Sequence, residues 1–118
     1  MKEEKEGCIF CKIVGKEIPV EFIYESDNFV VFPDKNPHTE GDCLIVAKKH
    51  YANIMDLPAD LGNELVDVIK RVAEMRLKEG AEGFNLIMNN FPAAGQEIMH
   101  AHVHLIPRRK GEKVKFPI

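Results

Sequence analysis

Residues 99–105 read MHAHVHL, a run in which apolar residues alternate with histidines, and three of the chain's five histidines stand here. Alternation with a period of two is typical of a β-strand, because successive side chains point to opposite faces. We therefore predict a strand over residues 98–107. One face is apolar and packs toward the core, and the other carries His100, His102 and His104.

Four further stretches have the composition of strands. Residues 20–25 (VEFIYE) alternate in polarity, and residues 29–32 (FVVF) form an apolar run after a Ser-Asp-Asn turn. We expect these two to pair as a hairpin. Residues 43–49 (CLIVAKK) and 84–89 (FNLIMN) bring the number of predicted strands to five.

Helical patterns occur in two places. Residues 58–80 have helical spacing, with a proline suited to the first turn and a glycine suited to the end. The expected apolar stripe comprises Leu61, Leu65, Ile69, Val72 and Leu77. Residues 8–19 (CIFCKIVGKEIP) predict one or two helical turns. The fold class is therefore α+β, a mainly antiparallel five-stranded sheet with one long and one short helix.

Composition narrows the class of protein. The 118 residues suit a single domain over residues 1–118, with 45% hydrophobic and 30% charged residues. The net charge of −3 offers no basic surface for a nucleic-acid polymer, and no apolar run is long enough to cross a membrane. The first residues lack the apolar core of a secretory signal, and three cysteines do not form a disulfide framework. We expect a cytoplasmic protein.

The alternating histidines have three interpretations. They form a solvated strand face, or they bind a catalytic zinc with water in the open position. Alternatively, a central histidine is a nucleophile that attacks phosphorus. The preceding loop, AAGQE, would then supply backbone N–H groups for phosphate oxygens.

Cys8 and Cys11 form a C-x-x-C pair, which has metal-ligand spacing but supplies only half of a zinc site. A redox role is disfavoured, since the thioredoxin-like βαβ context is missing. Buried, inert thiols are the other interpretation. A metal site would need two more ligands, for which His50 and His100 are candidates.

The run HAHVHLI also resembles the signature of the histidine triad family. The resemblance continues through CIFCKIVGKEIP, FPDKNPHTEGDCLIVAKKH, NLIMNN and AGQEIMHAHVHLIPR, which occur in the family's order. It implies a nucleotidyl hydrolase or transferase that acts on bonds at the α-phosphate, usually of adenosine nucleotides. The smaller members are homodimers that hydrolyse nucleoside phosphoramidates or related adenylates.

The resemblance also implies residue roles. His102 resembles the nucleophile on the α-phosphorus, and His104 resembles the partner that hydrogen-bonds the phosphate. The nucleotide-binding residues implied in this way are Asp34, Lys35, Asn89, Gly95, Gln96 and Glu97. Within that set, Asp34 resembles the acid that holds the ribose hydroxyls, whereas asparagine and glycine are also plain turn formers.

Three positions depart from the family's pattern. Glu97 stands where other members carry a serine or threonine hydroxyl that assists the leaving group, so the leaving-group preference is open. Asp42 and Ala47 stand where a histidine and a proline are commoner, and we expect a tuning effect at most.

Zinc-bearing members of the family resemble this chain in their C-x-x-C pair, a histidine after the third strand and the first triad histidine. The implied ligands are Cys8, Cys11, His50 and His100. A closed four-ligand site is structural rather than catalytic. The chemistry itself would then require no cofactor.

The leading hypothesis is a homodimeric hydrolase of purine nucleotides with His102 as its nucleophile. The dimer would pair residues 58–80 and 84–89 with their symmetry mates and extend the sheet across both chains. The alternatives are a non-catalytic nucleotide-binding module and a hydrolase with catalytic zinc on the triad.

Overall fold

The fold is described from a computed structural model, over residues 5–115. Residues 1–4, which contribute to the localisation argument, and residues 116–118 lie outside this range. The helices are α1 (Ile9–Val14) and α2 (Gly62–Lys78), and short 3₁₀ turns cover Ala59–Leu61 and Pro92–Ala94. The strands are β1 (Tyr24–Glu25), β2 (Phe29–Pro33), β3 (Cys43–Ala47), β4 (Gly83–Ile87) and β5 (His102–Arg108).

The five strands form one sheet in the order β1-β2-β3-β5-β4, and every neighbouring pair is antiparallel. The predicted α+β class is confirmed. The histidine strand β5 lies between β3 and β4, with His104 opposite Leu44 on one side and Ile87 on the other. An interior strand is fixed by hydrogen bonds along both edges, so its side chains are precisely oriented.

The two faces of the sheet bury different sets of residues. On one face, apolar side chains of β2, β3 and β5 pack against Val68, Val72 and Ala73 of α2. On the other face, side chains of β2 and β3 pack against Phe10 and Ile13 of α1. Because α1 covers only part of that second face, it leaves room beside it for His102 and His104.

Helix α1 is only six residues long and would be unstable by itself. Its burial of Phe10 and Ile13 holds it on the sheet. Cys8 caps its first turn, and its Sγ accepts a hydrogen bond from the Cys11 N–H at 3.3 Å. The cap fixes both sulfur atoms at one end of the helix.

Helix α2 begins beside the β1–β2 turn. Glu64, in its first turn, accepts hydrogen bonds from the Ser26 hydroxyl at 2.5 Å and from the Asn28 backbone and side-chain N–H groups at 2.7 Å each. The predicted apolar stripe is correct except at Leu77, which is 44% exposed. The buried residues of α2 are Val68, Val72 and Ala73, and no later residue of the helix is buried.

All five predicted strands differ from the structure in their bounds, three by one or two residues at an end and two by four residues at their start. The first strand was expected over residues 20–25, but only Tyr24 and Glu25 pair with β2. The preceding residues leave the sheet edge, and Val20 and Phe22 pack against the α1 side instead. The histidine strand was expected from residue 98 but begins at His102, because the His100 N–H turns back to the Ile98 carbonyl at 2.8 Å.

Within the described range, no helix is both long enough and apolar enough to cross a bilayer.

Candidate functional site

The four predicted zinc ligands converge at one end of α1. Cys8 and Cys11 come from this helix, His50 follows β3, and His100 immediately precedes β5. One ligand atom from each lies within 4.8 Å of those of the other three. His100 Nδ1 lies 3.3 Å from Cys8 Sγ and 3.5 Å from Cys11 Sγ, and His50 Nδ1 lies 3.3 Å from Cys11 Sγ.

These distances match a tetrahedral metal site. With Zn–S bonds of about 2.3 Å and Zn–N bonds of about 2.0–2.1 Å, neighbouring sulfur and nitrogen ligands lie about 3.5 Å apart. The Nε2 of His100 lies 2.6 Å from the Ala47 carbonyl oxygen, a hydrogen bond that directs Nδ1 toward the sulfur atoms. Burial lowers the pKa of His100 to about 4 and also lowers that of His50, which favours the neutral imidazoles that metals bind.

His102 and His104 form a separate pair. Their ring centroids are 5.1 Å apart, and both lie on the α1 side of the sheet, opposite Val46 and Leu44 of β3. The Phe10 ring packs roughly perpendicular to both neighbouring imidazoles, with its centroid 5.1 Å from that of His102 and 5.9 Å from that of His100. All three imidazoles therefore lie on one side, as predicted, but His100 is directed to the cysteines and is not part of the pair.

A backbone contact orients His102. Its Nδ1 lies 2.6 Å from the His100 carbonyl oxygen, so this nitrogen carries the proton and donates. Nε2 then keeps its lone pair. Burial lowers the pKa of His102, and this effect outweighs the hydrogen bond to His100, which acts in the opposite direction.

Asp34 lies beside the second histidine of the pair. Its Oδ2 is 3.6 Å from His104 Nδ1, and its Oδ1 accepts a hydrogen bond from the Asn36 N–H at 3.0 Å. The neighbouring Lys35 is exposed. The structure therefore brings Asp34, His102 and His104 together.

The loop between β4 and β5 carries the remaining predicted residues. A side chain at Gly95, where φ is +93°, would come within ordinary contact distance of the Asn89 amide, so these two residues are neighbours. Glu97 is exposed. β4 ends opposite His104, and the loop therefore starts near the histidine pair.

Gln96 has a different environment from the one expected of a phosphate ligand. It is 5% exposed, and its amide oxygen accepts a hydrogen bond from the Phe91 N–H at 2.7 Å. Its amide nitrogen donates to the carbonyls of Ala52 at 2.7 Å and Ile98 at 2.9 Å. The side chain is fully engaged in holding the loop against the segment that leads to His100.

Sequence reasoning missed two contributors. The sequence places Phe10 only within an apolar stretch, whereas its ring packs against those of His100 and His102. Asp42, for which we expect a tuning effect at most, has a buried carboxylate near Asp34 and His104, a position that the sequence did not indicate. A charged residue directly before a buried strand was the signal that could have identified it.

Comparisons with known proteins agree on one family. The HIT domain family model matches residues 15–111. An uncharacterized HIT-like protein of Methanocaldococcus jannaschii is 42% identical over 111 residues, which cover 92% of this chain and 86% of that protein. The adenosine 5'-monophosphoramidase of Saccharomyces cerevisiae is 39% identical over 104 residues, covering 87% of this chain and 63% of that protein. The adenylylsulfatase of Arabidopsis thaliana is 36% identical over 107 residues, covering 90% of this chain and 54% of that protein.

Solved structures match over almost the whole chain. A Streptococcus mutans crystal structure has a TM-score of 0.91 and 33% identity, covering 100% of this chain and 76% of that one. A zinc-bound histidine triad family protein of Mycobacterium smegmatis has a TM-score of 0.85 and 35% identity, covering 93% of this chain and 81% of that one.

Proposed function

Since the chain belongs to the histidine triad (HIT) family, we propose that it is a nucleotide-binding hydrolase that cleaves bonds at the α-phosphate of adenosine nucleotides, with nucleoside phosphoramidates as its substrate class. Relatives named as an adenosine 5'-monophosphoramidase and an adenylylsulfatase support this class of reaction.

The observation that carries the proposal is the orientation of His102. Its Nδ1 donates to the His100 carbonyl oxygen at 2.6 Å, which leaves the lone pair on Nε2 as the nucleophile. Nε2 attacks the α-phosphorus, a P–N bond forms to His102, and the P–N bond to the amine breaks as the amine takes up a proton from solvent water. Water then cleaves the bond to His102 and releases the nucleoside monophosphate.

The neighbouring residues would bind the substrate. We assign phosphate binding to His104, which neighbours His102, and ribose binding to Asp34, which neighbours His104; both side chains are largely buried. Asn89 would contact the phosphate through its side-chain amide. At Gly95 the absence of a side chain would let the backbone approach the phosphate closely. Lys35 and Glu97 are exposed, which suits contacts with outer parts of the substrate, and Gln96 would position the loop.

We assign a structural zinc ion to Cys8, Cys11, His50 and His100. Four protein ligands would close the coordination sphere and leave no position for substrate. The ion would tie α1 to the ends of β3 and β5, and the His100 carbonyl that orients His102 lies in the same segment. In this arrangement the metal supports the nucleophile without taking part in the reaction.

We also propose a cytoplasmic homodimer. On the α2 side of the molecule, Val66 and Leu77 of α2 and Phe84 and Leu86 of β4 are 52%, 44%, 36% and 46% exposed. β4 is an edge strand of the sheet, and an open apolar edge favours pairing with another chain. Light scattering over a wide dilution range should give twice the 13.4 kDa chain mass.

The test is hydrolysis of adenosine 5'-phosphoramidate by the zinc-loaded protein and by protein treated with a strong chelator. We expect AMP as the product, with a lower melting temperature but residual turnover after chelation. Nucleotide binding without turnover would instead identify a non-catalytic module. Complete loss of turnover with an unchanged melting curve would favour catalytic zinc.

A further inference from the structure

A second cluster of potential metal ligands lies beside the histidine pair, where the loop after β2 meets the start of β3. Asp34, Asp42 and His104 each offer one ligand atom, and these atoms lie within 4.8 Å of one another. The side chain of Asp42 is 0% exposed, and those of Asp34 and His104 are 13% and 23% exposed. This cluster shares no residue with the first one, which comprises Cys8, Cys11, His50 and His100.

The polar groups of the second cluster are not fully satisfied. Asp42 Oδ1 and His104 Nδ1 are buried and have no hydrogen-bond partner within residues 5–115. Asp42 Oδ2 accepts a hydrogen bond from the His38 N–H at 2.8 Å and lies 3.1 Å from His38 Nδ1. The 3.6 Å between His104 Nδ1 and Asp34 Oδ2 exceeds the range of about 2.7–3.2 Å for a hydrogen bond. Buried polar atoms without partners are unfavourable, so a missing ligand is indicated.

We propose that Asp34, Asp42 and His104 bind a divalent transition-metal ion, with Mn²⁺ as the matching type. Two carboxylates with little access to water carry two negative charges, which a divalent cation neutralises. Carboxylate oxygens with an imidazole nitrogen suit Mn²⁺, whereas thiolates select softer ions. Ligands bonded at about 2.1 Å to one ion lie about 3.0–3.5 Å apart, close to the observed nitrogen–oxygen separation.

An open groove of about 630 Å³ gives the ion a route to the cluster. Its charged and titratable lining residues are Asp34, His38, Glu40, Asp42 and Arg76. The Arg76 guanidinium faces the groove from α2 but is engaged elsewhere. Its Nε donates to the Gly41 carbonyl at 2.9 Å, and its Nη1 donates to Glu79 at 2.9 Å.

The ion would also affect the nucleotide site, an extension that rests on the proposed function. Asp34 and His104 cannot bind a cation and also hold ribose and phosphate in the same way. Mn²⁺ should therefore inhibit hydrolysis competitively. Cation binding itself is measured without nucleotide, so its failure is distinguishable from a failure of the proposed hydrolase activity.

The experiment is a titration of the zinc-saturated, full-length protein with Mn²⁺, in which electron paramagnetic resonance measures the free ion. We expect one Mn²⁺ per chain. Asp42→Asn should weaken binding at least about tenfold, as the loss of a ligand predicts. Glu40→Gln is the matched control, because it removes the same charge from the same groove but is not part of the cluster.

A second readout locates the ion. Bound Mn²⁺ should broaden the imidazole NMR signals of His104 more strongly than those of His50. If zinc content and melting show that Asp42→Asn does not fold, Asp34→Asn is titrated in its place. The broadening in the unsubstituted protein still shows whether the ion binds beside His104. The proposal is overturned by the absence of saturable binding, by equal weakening in Asp42→Asn and Glu40→Gln, or by broadening centred on His50.

Discussion

Replacement of Gln96 by methionine tests whether this residue positions the loop beside the histidine pair. Methionine has a similar length but cannot make the three hydrogen bonds of Gln96 with Phe91, Ala52 and Ile98. A typical hydrogen bond contributes about 0.5–1.5 kcal/mol, and the side chain is only 5% exposed. Partial access of water to the backbone groups offsets some of the loss. We expect the free energy of unfolding to fall by about 2–3 kcal/mol.

This loss corresponds to a measurable change in melting temperature. With an unfolding entropy of about 2.1 cal/mol/K per residue and 118 residues, a decrease of 2–3 kcal/mol lowers the melting temperature by about 8–12 °C. Urea denaturation and calorimetry of zinc-saturated protein measure both quantities. Glu97→Gln is the matched control at the next, exposed position and should change stability by less than about 0.5 kcal/mol. A Gln96→Met protein as stable as its parent would refute the positioning role.

Two further outcomes follow from the hydrogen bonds and burial of single residues. Partial burial by itself would raise the pKa of Glu64, but the hydrogen bonds from Ser26 and Asn28 outweigh it and the pKa is lowered. Because the folded-state pKa lies below the unfolded value, this stabilisation is present above about pH 4.3 and is lost as the pH falls through the folded pKa. Glu64→Gln should therefore lower the free energy of unfolding by about 1 kcal/mol at pH 7, after allowance for solvent screening, and by almost nothing in strong acid. Urea denaturation at several pH values measures this difference. Burial raises the pKa of the Cys43 thiol to about 11. Because the thiolate is the reactive form, iodoacetamide at pH 8 should not alkylate Cys43 until the protein unfolds, as mass spectrometry would measure. Rapid labelling of Cys43 in the folded protein would contradict its burial.

The sequence contained most of the fold because its patterns were regular. Alternation identified β5, and helical spacing identified α2. The bounds were less predictable where tertiary contacts decide them. Leu77 continues the helical stripe but is 44% exposed, and residues 20–22 alternate like a strand without pairing as one. Neither outcome is encoded in local periodicity.

The site was predictable only in part for a similar reason. Spacing alone left the C-x-x-C pair ambiguous, and the resemblance to a family was needed to join Cys8 and Cys11 to two distant histidines. The alternation of His100 and His102 gave no sign that a turn would direct them to different clusters. For Gln96, the residue type suited both a phosphate ligand and a buried amide, and only the three-dimensional contacts distinguish these roles.

The central claim is that His102 is the nucleophile, and the most direct measurement is the turnover of adenosine 5'-phosphoramidate by His102→Ala. Removal of a nucleophile eliminates the chemical step, while the proposed ribose and phosphate contacts of Asp34 and His104 remain. We predict a loss of several orders of magnitude in kcat with retained binding of AMP. His38→Ala, which removes an exposed histidine outside the pair, should keep most of the activity. Near-normal turnover by zinc-loaded His102→Ala would contradict the account.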